Sequence, residues 1–279
     1  MNGAQADKAK RFLELHRRGS PLLMPNAWDL GSAALLVSLG FEAIATTSSG
    51  HAATLGRPDG AVTREEALAH AAELARGTDV PVSADLENAF AYEPAGVAET
   101  IALAVDAGLA GASVEDYSGD ADEIYELSLA RERVAAAAEA AHGGPVRLVL
   151  TARAENLIRG KPDLADTIAR LGAYQEAGAD VLYAPGLNSA DDIREVIAAV
   201  DAPVNVLAVR GTPSVSELAE LGVARISVGG AFAFAAFGGL LEAAEELRDR
   251  GTYGYLERAA AGSKALRTAF SRSRVGPRS

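Results

Sequence analysis

A proline, a short apolar run and two acidic residues follow one another in Pro81-Val82-Ser83-Ala84-Asp85-Leu86-Glu87. Proline suits the first residue of a strand, where the sheet needs no donor from it, so the run after it predicts a strand. Residues two apart in an extended segment point the same way, so Asp85 and Glu87 face one site at the end of that strand. Two carboxylates placed like this suit a hard cation such as Mg²⁺. A solvated acidic turn is the alternative explanation for the pair on its own.

The same punctuation recurs along the chain. A proline precedes a β-branched or leucine-rich run four times, and a glycine typical of a helix C-cap precedes a short apolar run four times. These marks alternate and give eight predicted strands, which begin near Leu22, Ala43, Val82, Gly111, Arg147, Val181, Val204 and Arg225. The segments between them have helical patterns, with capping-box sequences that begin at Thr63, Ser189 and Ser214. Eight such units favour a closed (β/α)8 barrel. An open doubly wound sheet is the alternative, but no Gly-x-Gly-x-x-Gly follows an early strand.

The chain continues well beyond the eighth predicted strand. Gly229-Gly230 is followed by an apolar stretch and by more helix, out to about residue 270. One barrel unit needs less helix than this. We therefore predict a single barrel domain over residues 1–279, in which residues 231–270 form an extension that packs against a partner subunit in a homodimer or homotetramer. The glycine pair is explained either by a phosphate site of the kind found in other barrels or by close helix packing.

Composition narrows the classes of function. The 279 residues include no cysteine, which excludes disulfides, thiolate metal sites and a cysteine nucleophile. The formal net charge of −12 argues against nucleic acid as a partner, and a small anionic substrate would need a local arginine or a metal. No apolar run is long enough for a membrane span, and the polar start lacks the apolar core of a secretory signal. We therefore predict a cytoplasmic protein that binds neither nucleic acid nor membrane.

Two common kinds of catalytic site are disfavoured. No lysine ends a predicted strand, which argues against a Schiff-base aldolase. No Gly-x-Ser-x-Gly sequence is present, which argues against a serine hydrolase.

Polar side chains gather where the predicted strands end, which is where barrel enzymes place their active sites. In chain order these residues are Asn26, Asp29, Thr46, Thr47, Ser48, Ser49, Gly50, His51, Asp59, Asp85, Glu87, Glu115, Asp116, Thr151, Arg153, Glu155, Tyr183 and Asn205. Clustered acids repel one another, and a divalent cation relieves this. Arg153 offers a bidentate fork for a substrate carboxylate, while Ser49 and Gly50 offer donors to a developing oxyanion.

Some of these residues have plainer explanations. Asp116 and Glu155 are predicted to be exposed loop acids, because alternate residues of a strand face outward. Asn26 and Asp29 are predicted to cap the first barrel helix. His51 is either a substrate contact or a plain loop residue.

Five short motifs occur in one order between Met24 and Gly230. They are Ser49-Gly50, Leu55-Gly56-Arg57-Pro58-Asp59, Ala84-Asp85-Leu86-Glu87, Val114-Glu115-Asp116 and Thr151-Ala152-Arg153. Together they resemble the isocitrate lyase/phosphoenolpyruvate mutase superfamily, although each motif alone is weak. The resemblance implies a (β/α)8 barrel whose C-terminal helices are swapped between subunits, assembled as dimers of dimers.

The resemblance also implies a site that holds Mg²⁺, with Mn²⁺ as an alternative, and binds a 2-oxo acid or its enolate. The predicted metal ligands are Asp85, Glu87 and Glu115, the predicted catalytic residues are Arg153, Glu115 and Asp59, and the predicted substrate contacts are Ser49, Gly50, His51, Arg153 and Asn205. In this superfamily the chemistry makes or breaks a carbon–carbon or carbon–phosphorus bond next to the enolate.

The chain departs from the family pattern after the fourth predicted strand. The family's lyases have a Lys-Lys-Cys-Gly-His loop there and its mutases an Asn-containing loop, whereas this chain has Tyr117-Ser118-Gly119-Asp120-Ala121-Asp122-Glu123-Ile124-Tyr125. Many members also have a histidine where this chain has Tyr183. The residues that the resemblance assigns to binding the metal and the enolate are still present. We therefore predict a Mg²⁺-dependent carbon–carbon lyase or decarboxylase, similar to oxaloacetate decarboxylase, for a small 2-oxo mono- or dicarboxylic acid. The alternatives are a non-catalytic 2-oxo acid binding protein and a carbon–phosphorus mutase or hydrolase.

Overall fold

Eight parallel strands form a barrel in the computed structural model, which describes residues 2–119 and 123–272. The strands are β1 (Leu22–Met24, continued by Asn26–Ala27), β2 (Ile44–Thr46), β3 (Val82–Asp85), β4 (Gly111–Glu115), β5 (Val149–Arg153), β6 (Val181–Tyr183), β7 (Val204–Leu207) and β8 (Arg225–Ser227). Each strand pairs with its neighbours in chain order, and β8 pairs in parallel with β1. The predicted eight strands and the predicted barrel are confirmed.

A proline divides β1 without opening the barrel. Pro25 has no N–H and cannot donate to a ladder. The residues before it pair with β8, and the residues after it pair with β2. The carbonyl of Pro25 still accepts a hydrogen bond from the N–H of Ala45 at 3.0 Å. The sheet therefore closes across one strand that changes partner at its middle.

Helices connect the strands and cover the barrel. They are α1 (Asn2–Glu14), α2 (Leu30–Ser38), α3 (Ser48–Thr54), α4 (Arg64–Gly77), α5 (Pro94–Asp106), α6 (Leu127–His142), α7 (Leu164–Glu176), α8 (Ala190–Ala199), α9 (Val215–Glu220), α10 (Ala231–Glu245) and α11 (Leu256–Arg272). The predicted capping boxes at Thr63 and Ser214 are confirmed, whereas Ser189 caps α8 through a single bond to its hydroxyl. A short hairpin, Tyr117–Ser118 with Glu123–Ile124, follows β4, and Asp120, Ala121 and Asp122 of the predicted loop lie outside the described residues.

The first helix closes the end of the barrel at which the strands begin. Phe12 of α1 is fully buried against Leu22 and Val146. A side chain at Gly111 would meet the Phe12 ring at 2.5 Å, so only glycine fits at the start of β4. The apolar contacts of α1 therefore seal the barrel opposite the predicted site.

A buried cation lies just above this seal. Arg225 is almost completely buried, and its guanidinium donates hydrogen bonds to Asn205 Oδ1, Thr151 Oγ1 and His16 Nε2 at 2.9, 3.1 and 3.2 Å. His16 Nδ1 lies 2.7 Å from the carbonyl of Phe12. A neutral imidazole that donates from Nδ1 can accept from Arg225 at Nε2. Burial is the larger cause, and the charge of Arg225 the smaller one, of a pKa of His16 that is lowered to about 3.

We expect this histidine to make the protein sensitive to acid. A depressed pKa contributes stability that is present above the unfolded-state value of about 6.5 and is lost as the pH falls toward the folded-state value. Between pH 7.5 and 5.0, wild type should lose about 2 kcal/mol that His16→Gln does not lose, because glutamine keeps an acceptor and does not titrate. Urea unfolding of both proteins at the two pH values measures this difference. Equal pH dependence in the two proteins would contradict it.

The two α-helices after β8 have different surroundings. α11 packs against α2 of the same chain. α10 buries only Ala233 and exposes five large apolar side chains, which are Phe232, Phe234, Phe237, Leu240 and Leu241. Exposed apolar side chains in such number are typical of an interaction surface. Apolar as α10 is, no helix within residues 2–119 and 123–272 is long and apolar enough to cross a membrane.

Candidate active site

A cavity of about 730 Å³ opens at the end of the barrel where the strands finish. Its lining includes Ser48, Asp59, Glu87, Asn88, Tyr92, Glu115, Tyr117, Tyr125, Arg153 and Arg159. Four of the residues predicted to bind the metal, act in catalysis or contact the substrate therefore share one cavity. They are Asp59, Glu87, Glu115 and Arg153. Asp85 lies beside it, bonded to Arg153.

Arg153 is the centre of the charge arrangement. Its Nη1 lies 2.8 Å from Asp85 Oδ1, and its Nη2 lies 3.0 Å from Glu115 Oε2 and 2.8 Å from Glu155 Oε1. Three acids from the ends of β3, β4 and β5 thus converge on one guanidinium. The prediction that Glu155 is an exposed loop acid is wrong, because its side chain is completely buried as a partner of Arg153.

The acids at this end of the barrel are crowded into a poorly solvated space. Burial raises the pKa of Glu87 to about 7, and the charges of Asp85 and Asp59 add to the effect. Burial also raises the pKa of Glu115 well above its usual range, although Arg153 opposes this. Like charges near one another disfavour the ionised form, so the cluster has the electrostatics of a cation site.

The donor set fits Mg²⁺ held by few protein ligands. Within the described part of the chain, no three His, Asp or Glu side chains are arranged to enclose an ion by themselves. Mg²⁺ commonly keeps several waters and takes one or two carboxylates together with oxygens of the substrate. Asp85 and Glu87, at the end of β3, can supply such a pair. A cation there would relieve the repulsion from Asp85 and Asp59 that adds to the effect of burial on the pKa of Glu87.

The loop after β3 holds Glu87 in an unusual backbone conformation. Glu87, Ala89 and Phe90 have φ of 49°, 62° and 55°, and no other non-glycine residue in the described ranges has a positive φ. Such conformations cost free energy and persist only where the surroundings enforce them. None of the sequence patterns predicted this strain.

A buried arginine holds the loop after β3 in this backbone conformation. Arg133 of α6 is 1% exposed and donates hydrogen bonds to the carbonyls of Asn88, Ala91 and Tyr92. Its guanidinium lies 4.2 Å from the centre of the Tyr125 ring. The loop that presents Glu87 is therefore fixed from behind by a cation that faces backbone oxygens.

Asp116 was predicted to be an exposed loop acid, and this is wrong. It is 3% exposed and accepts hydrogen bonds from Tyr174 Oη, Arg170 Nη1 and the N–H of Glu155 at 2.5, 3.1 and 2.8 Å. These bonds join the end of β4 to the end of β5 and to α7. Asp116 therefore supports the site without lining the cavity.

The end of β2 is arranged differently from the prediction. Ser48, rather than Ser49, lines the cavity, and its N–H donates to Asp85 Oδ2 at 3.2 Å. The N–H of Gly50 donates to Thr47 Oγ1 within the helix cap. Gly230 packs so closely that a side chain there would lie 2.6 Å from Ser49 Oγ, which supports close helix packing as the reason for the glycine pair.

Two other predicted contacts lie away from the main cavity. His51 stacks on His70 with ring centres 3.7 Å apart and lines a small adjoining cavity with Asp85 and Glu87. Asn205 is fully buried inside the barrel and donates to Ser227 Oγ at 2.9 Å while accepting from Arg225. The structure therefore does not bring Asn205 to the cavity.

Of the two residues at the end of β1 that were predicted to cap a helix, only one does so. Asp29 caps α2 and forms a capping box with Ser32. Asn26 does not cap the helix. It donates to the carbonyl of Thr46 and accepts from the N–H groups of Val228 and Gly229, and so ties β1 to both neighbouring strands.

A family model described as phosphoenolpyruvate phosphomutase matches residues 12–248, which contain all eight strands. The chain belongs to the phosphoenolpyruvate mutase family. The resemblance to the isocitrate lyase/phosphoenolpyruvate mutase superfamily is thereby confirmed.

Similar proteins in this superfamily include several named lyases and decarboxylases. A crystal structure from Burkholderia cenocepacia J2315, described as a candidate lyase/mutase, matches with a TM-score of 0.91 and 50% identity over 95% of this chain and 96% of that one. An uncharacterised protein from Mycobacterium tuberculosis is 36% identical over 78% of this chain and 81% of its own length. A 2-methylisocitrate lyase from Halalkalibacterium halodurans is 30% identical over 72% and 67% of the two chains. An oxaloacetate decarboxylase from Chromohalobacter salexigens is 28% identical over 88% and 87%.

One solved structure of the same fold carries a metal. A phosphonopyruvate hydrolase in complex with oxalate and Mg²⁺ matches with a TM-score of 0.80 at 22% identity, over 95% of this chain and 98% of that one.

Proposed function

We propose that this protein is a Mg²⁺-dependent lyase that cleaves a carbon–carbon bond in a small 2-oxo dicarboxylic acid, with decarboxylation as the simplest form. The observation that carries the proposal is the ring of three acids around Arg153 beside a 730 Å³ cavity. Relatives that are named 2-methylisocitrate lyase and oxaloacetate decarboxylase support it.

Each residue of the cluster has a proposed role. Asp85 and Glu87 would hold Mg²⁺, or Mn²⁺ in its place, while Asp59 and Glu115 orient the waters around it. A bound divalent cation supplies a Lewis acid that polarises the 2-oxo group. An Asp85 that binds a cation no longer neutralises Arg153 fully. One side of the Arg153 fork is then free for a carboxylate of the substrate.

The residues that are missing favour decarboxylation. In that reaction the bond from C3 to the distal carboxylate breaks, its electron pair moves toward the 2-oxo oxygen, and CO₂ leaves. The resulting enolate then takes a proton at C3 from water. The departing CO₂ needs no proton, whereas isocitrate cleavage needs one for its leaving carbanion. The family's lyases use a loop cysteine for that step, and this chain has no cysteine.

The test is a substrate panel with the purified protein and Mg²⁺. We expect turnover of oxaloacetate above the rate of a matched Arg153→Met variant, and loss of this excess in EDTA. Robust cleavage of isocitrate, rearrangement or hydrolysis of a phosphonate, or full activity in EDTA would contradict the proposal. Heat stabilisation by 2-oxo acids without any turnover would favour the second candidate, a binding protein, which the cysteine-free loop after β4 also suits.

We propose that the exposed face of α10 is buried in a homodimer or homotetramer, with α10 exchanged between subunits. Five large apolar side chains on one exposed helix support this.

The test of this assembly is sedimentation, in which wild type should behave as an oligomer at micromolar concentration. The paired change Phe234→Asp and Leu241→Asp should shift it to monomer, because charges in a buried contact are costly. Leu39→Asp is a control, since Leu39 is also a large exposed apolar residue but lies at the opposite end of the barrel. A wild-type monomer would contradict the proposal. The cytoplasmic location stays a prediction.

A further inference from the structure

Among the described residues that line the cavity, Arg159 is the one cation besides Arg153. It follows the short 3₁₀ helix Asn156–Ile158 that continues from β5, and its N–H donates to the carbonyl of Glu155 at 3.1 Å. Both arginines therefore come from one strand end. Arg153 lies deep and Arg159 lies at the rim, with side chains 14% and 35% exposed.

The two arginines differ in how many of their N–H donors are bonded to protein acids. Arg153 is bonded to three acids through Nε, Nη1 and Nη2. Arg159 makes a single ion pair in the described part of the chain, from Nε to Glu155 Oε2 at 3.5 Å. That distance is too long for a good hydrogen bond, and Glu155 Oε2 has no other partner among the described residues. The two Nη groups of Arg159 are therefore available to a ligand.

The guanidinium of Arg159 is held in a fixed orientation. It lies 3.7 Å from the centre of the Tyr117 ring, on the hairpin after β4. A cation over an aromatic face is attracted by the ring. Stacking covers one face of the guanidinium and leaves its in-plane donors for a carboxylate, the geometry that favours bidentate binding.

One buried carboxylate lies between the two arginines. Glu155 contacts Arg153 through Oε1 at 2.8 Å and Arg159 through Oε2 at 3.5 Å. The two guanidiniums are thus separated by little more than one carboxylate group. A short dicarboxylate needs two cations at such a spacing, whereas a monocarboxylate needs one.

We propose that Arg159 binds the distal carboxylate of the substrate and makes the site selective for 2-oxo dicarboxylates over 2-oxo monocarboxylates. This inference rests on the proposed function, because it takes the cavity to be the substrate site. It assigns Arg159 as a specificity-determining residue, with Tyr117 positioning its guanidinium.

The test uses two ligands that differ only in the distal carboxylate. Malate and lactate are 2-hydroxy acids with and without that group, and each is measured as a competitor of oxalate in the presence of Mg²⁺. In wild type, malate should compete at least about 10-fold better than lactate, in line with a charge-assisted hydrogen bond. In Arg159→Met this preference should fall to about 1, because malate loses the partner of its distal carboxylate. Arg159→Lys should keep part of the preference, since it keeps the charge but not the fork.

A matched control and three outcomes decide the matter. Arg194→Met, which removes an exposed arginine on α8 paired with Asp191, should keep the wild-type preference. An unchanged preference in Arg159→Met, or none in wild type, would overturn the assignment of Arg159 and leave the proposed function standing. Failure of wild type to bind oxalate with Mg²⁺ would overturn the proposed function and the distal subsite with it.

Discussion

Asp85→Asn should weaken Mg²⁺-dependent binding of oxalate by more than about 100-fold and leave the fold intact. Loss even of an outer-shell partner commonly costs 10- to 100-fold in metal affinity, and Asp85 is proposed to contact the ion itself. Its side chain lies at the end of β3 beside the cavity, 18% exposed and outside the apolar core. Asparagine has nearly the same shape, so the backbone bond from Asp85 to Thr46 Oγ1 should survive.

Titration calorimetry with Mg²⁺ and oxalate measures the effect, and circular dichroism checks the fold. Asp191→Asn is a suitable control, because Asp191 is 92% exposed on α8 and remote from the cavity. The Asp85 charge also helps to raise the pKa of Glu87, so this pKa should fall in Asp85→Asn. A variant that binds oxalate as tightly as wild type would show that the metal assignment is wrong.

The strand ends could be predicted because their signals are local. Pro81 fixes where β3 begins, and the spacing of Asp85 and Glu87 follows from an extended chain. Arg153 could be found in the same way, as the one arginine in the predicted set of strand ends. These residues do meet at one end of the barrel.

The errors arise where a partner lies far along the chain. Alternation predicts an outward direction for Asp116 and Glu155, but each lies just past its strand, where the chain turns back into the barrel end. The partners of Asp116 on α7 come more than 50 residues later. No local pattern connects such groups.

The depth of a side chain within the barrel could not be predicted from the sequence either. Asn205 points inward as predicted, yet it pairs with Arg225, the first residue of β8, and so lies a layer below the cavity. Periodicity gives the direction of a side chain but not its depth. The role of Arg133 could not be predicted either, because its partners are backbone carbonyls, which every residue has.

Arg153→Met should lower kcat/KM by at least about 10²- to 10³-fold, the range seen when one donor to a developing oxyanion is removed. The same change should also destabilise the protein. It leaves Glu155 completely buried, with only the long 3.5 Å ion pair to Arg159 as a counter-charge. Removal of one partner from a buried ion pair commonly costs about 3 to 5 kcal/mol. Activity and stability would therefore fall together, and the single variant cannot separate the two causes.

A second substitution separates them. In Arg153→Met with Glu155→Gln, the buried group no longer carries a charge, so much of the lost stability should return. The activity should not return, because the fork proposed to hold the substrate carboxylate is still absent. Urea unfolding and steady-state kinetics on both variants, with Glu155→Gln alone as the control, give the two readouts. If stability and kcat/KM recover together in the double variant, Arg153 serves only to neutralise Glu155, and its proposed role toward the substrate is wrong.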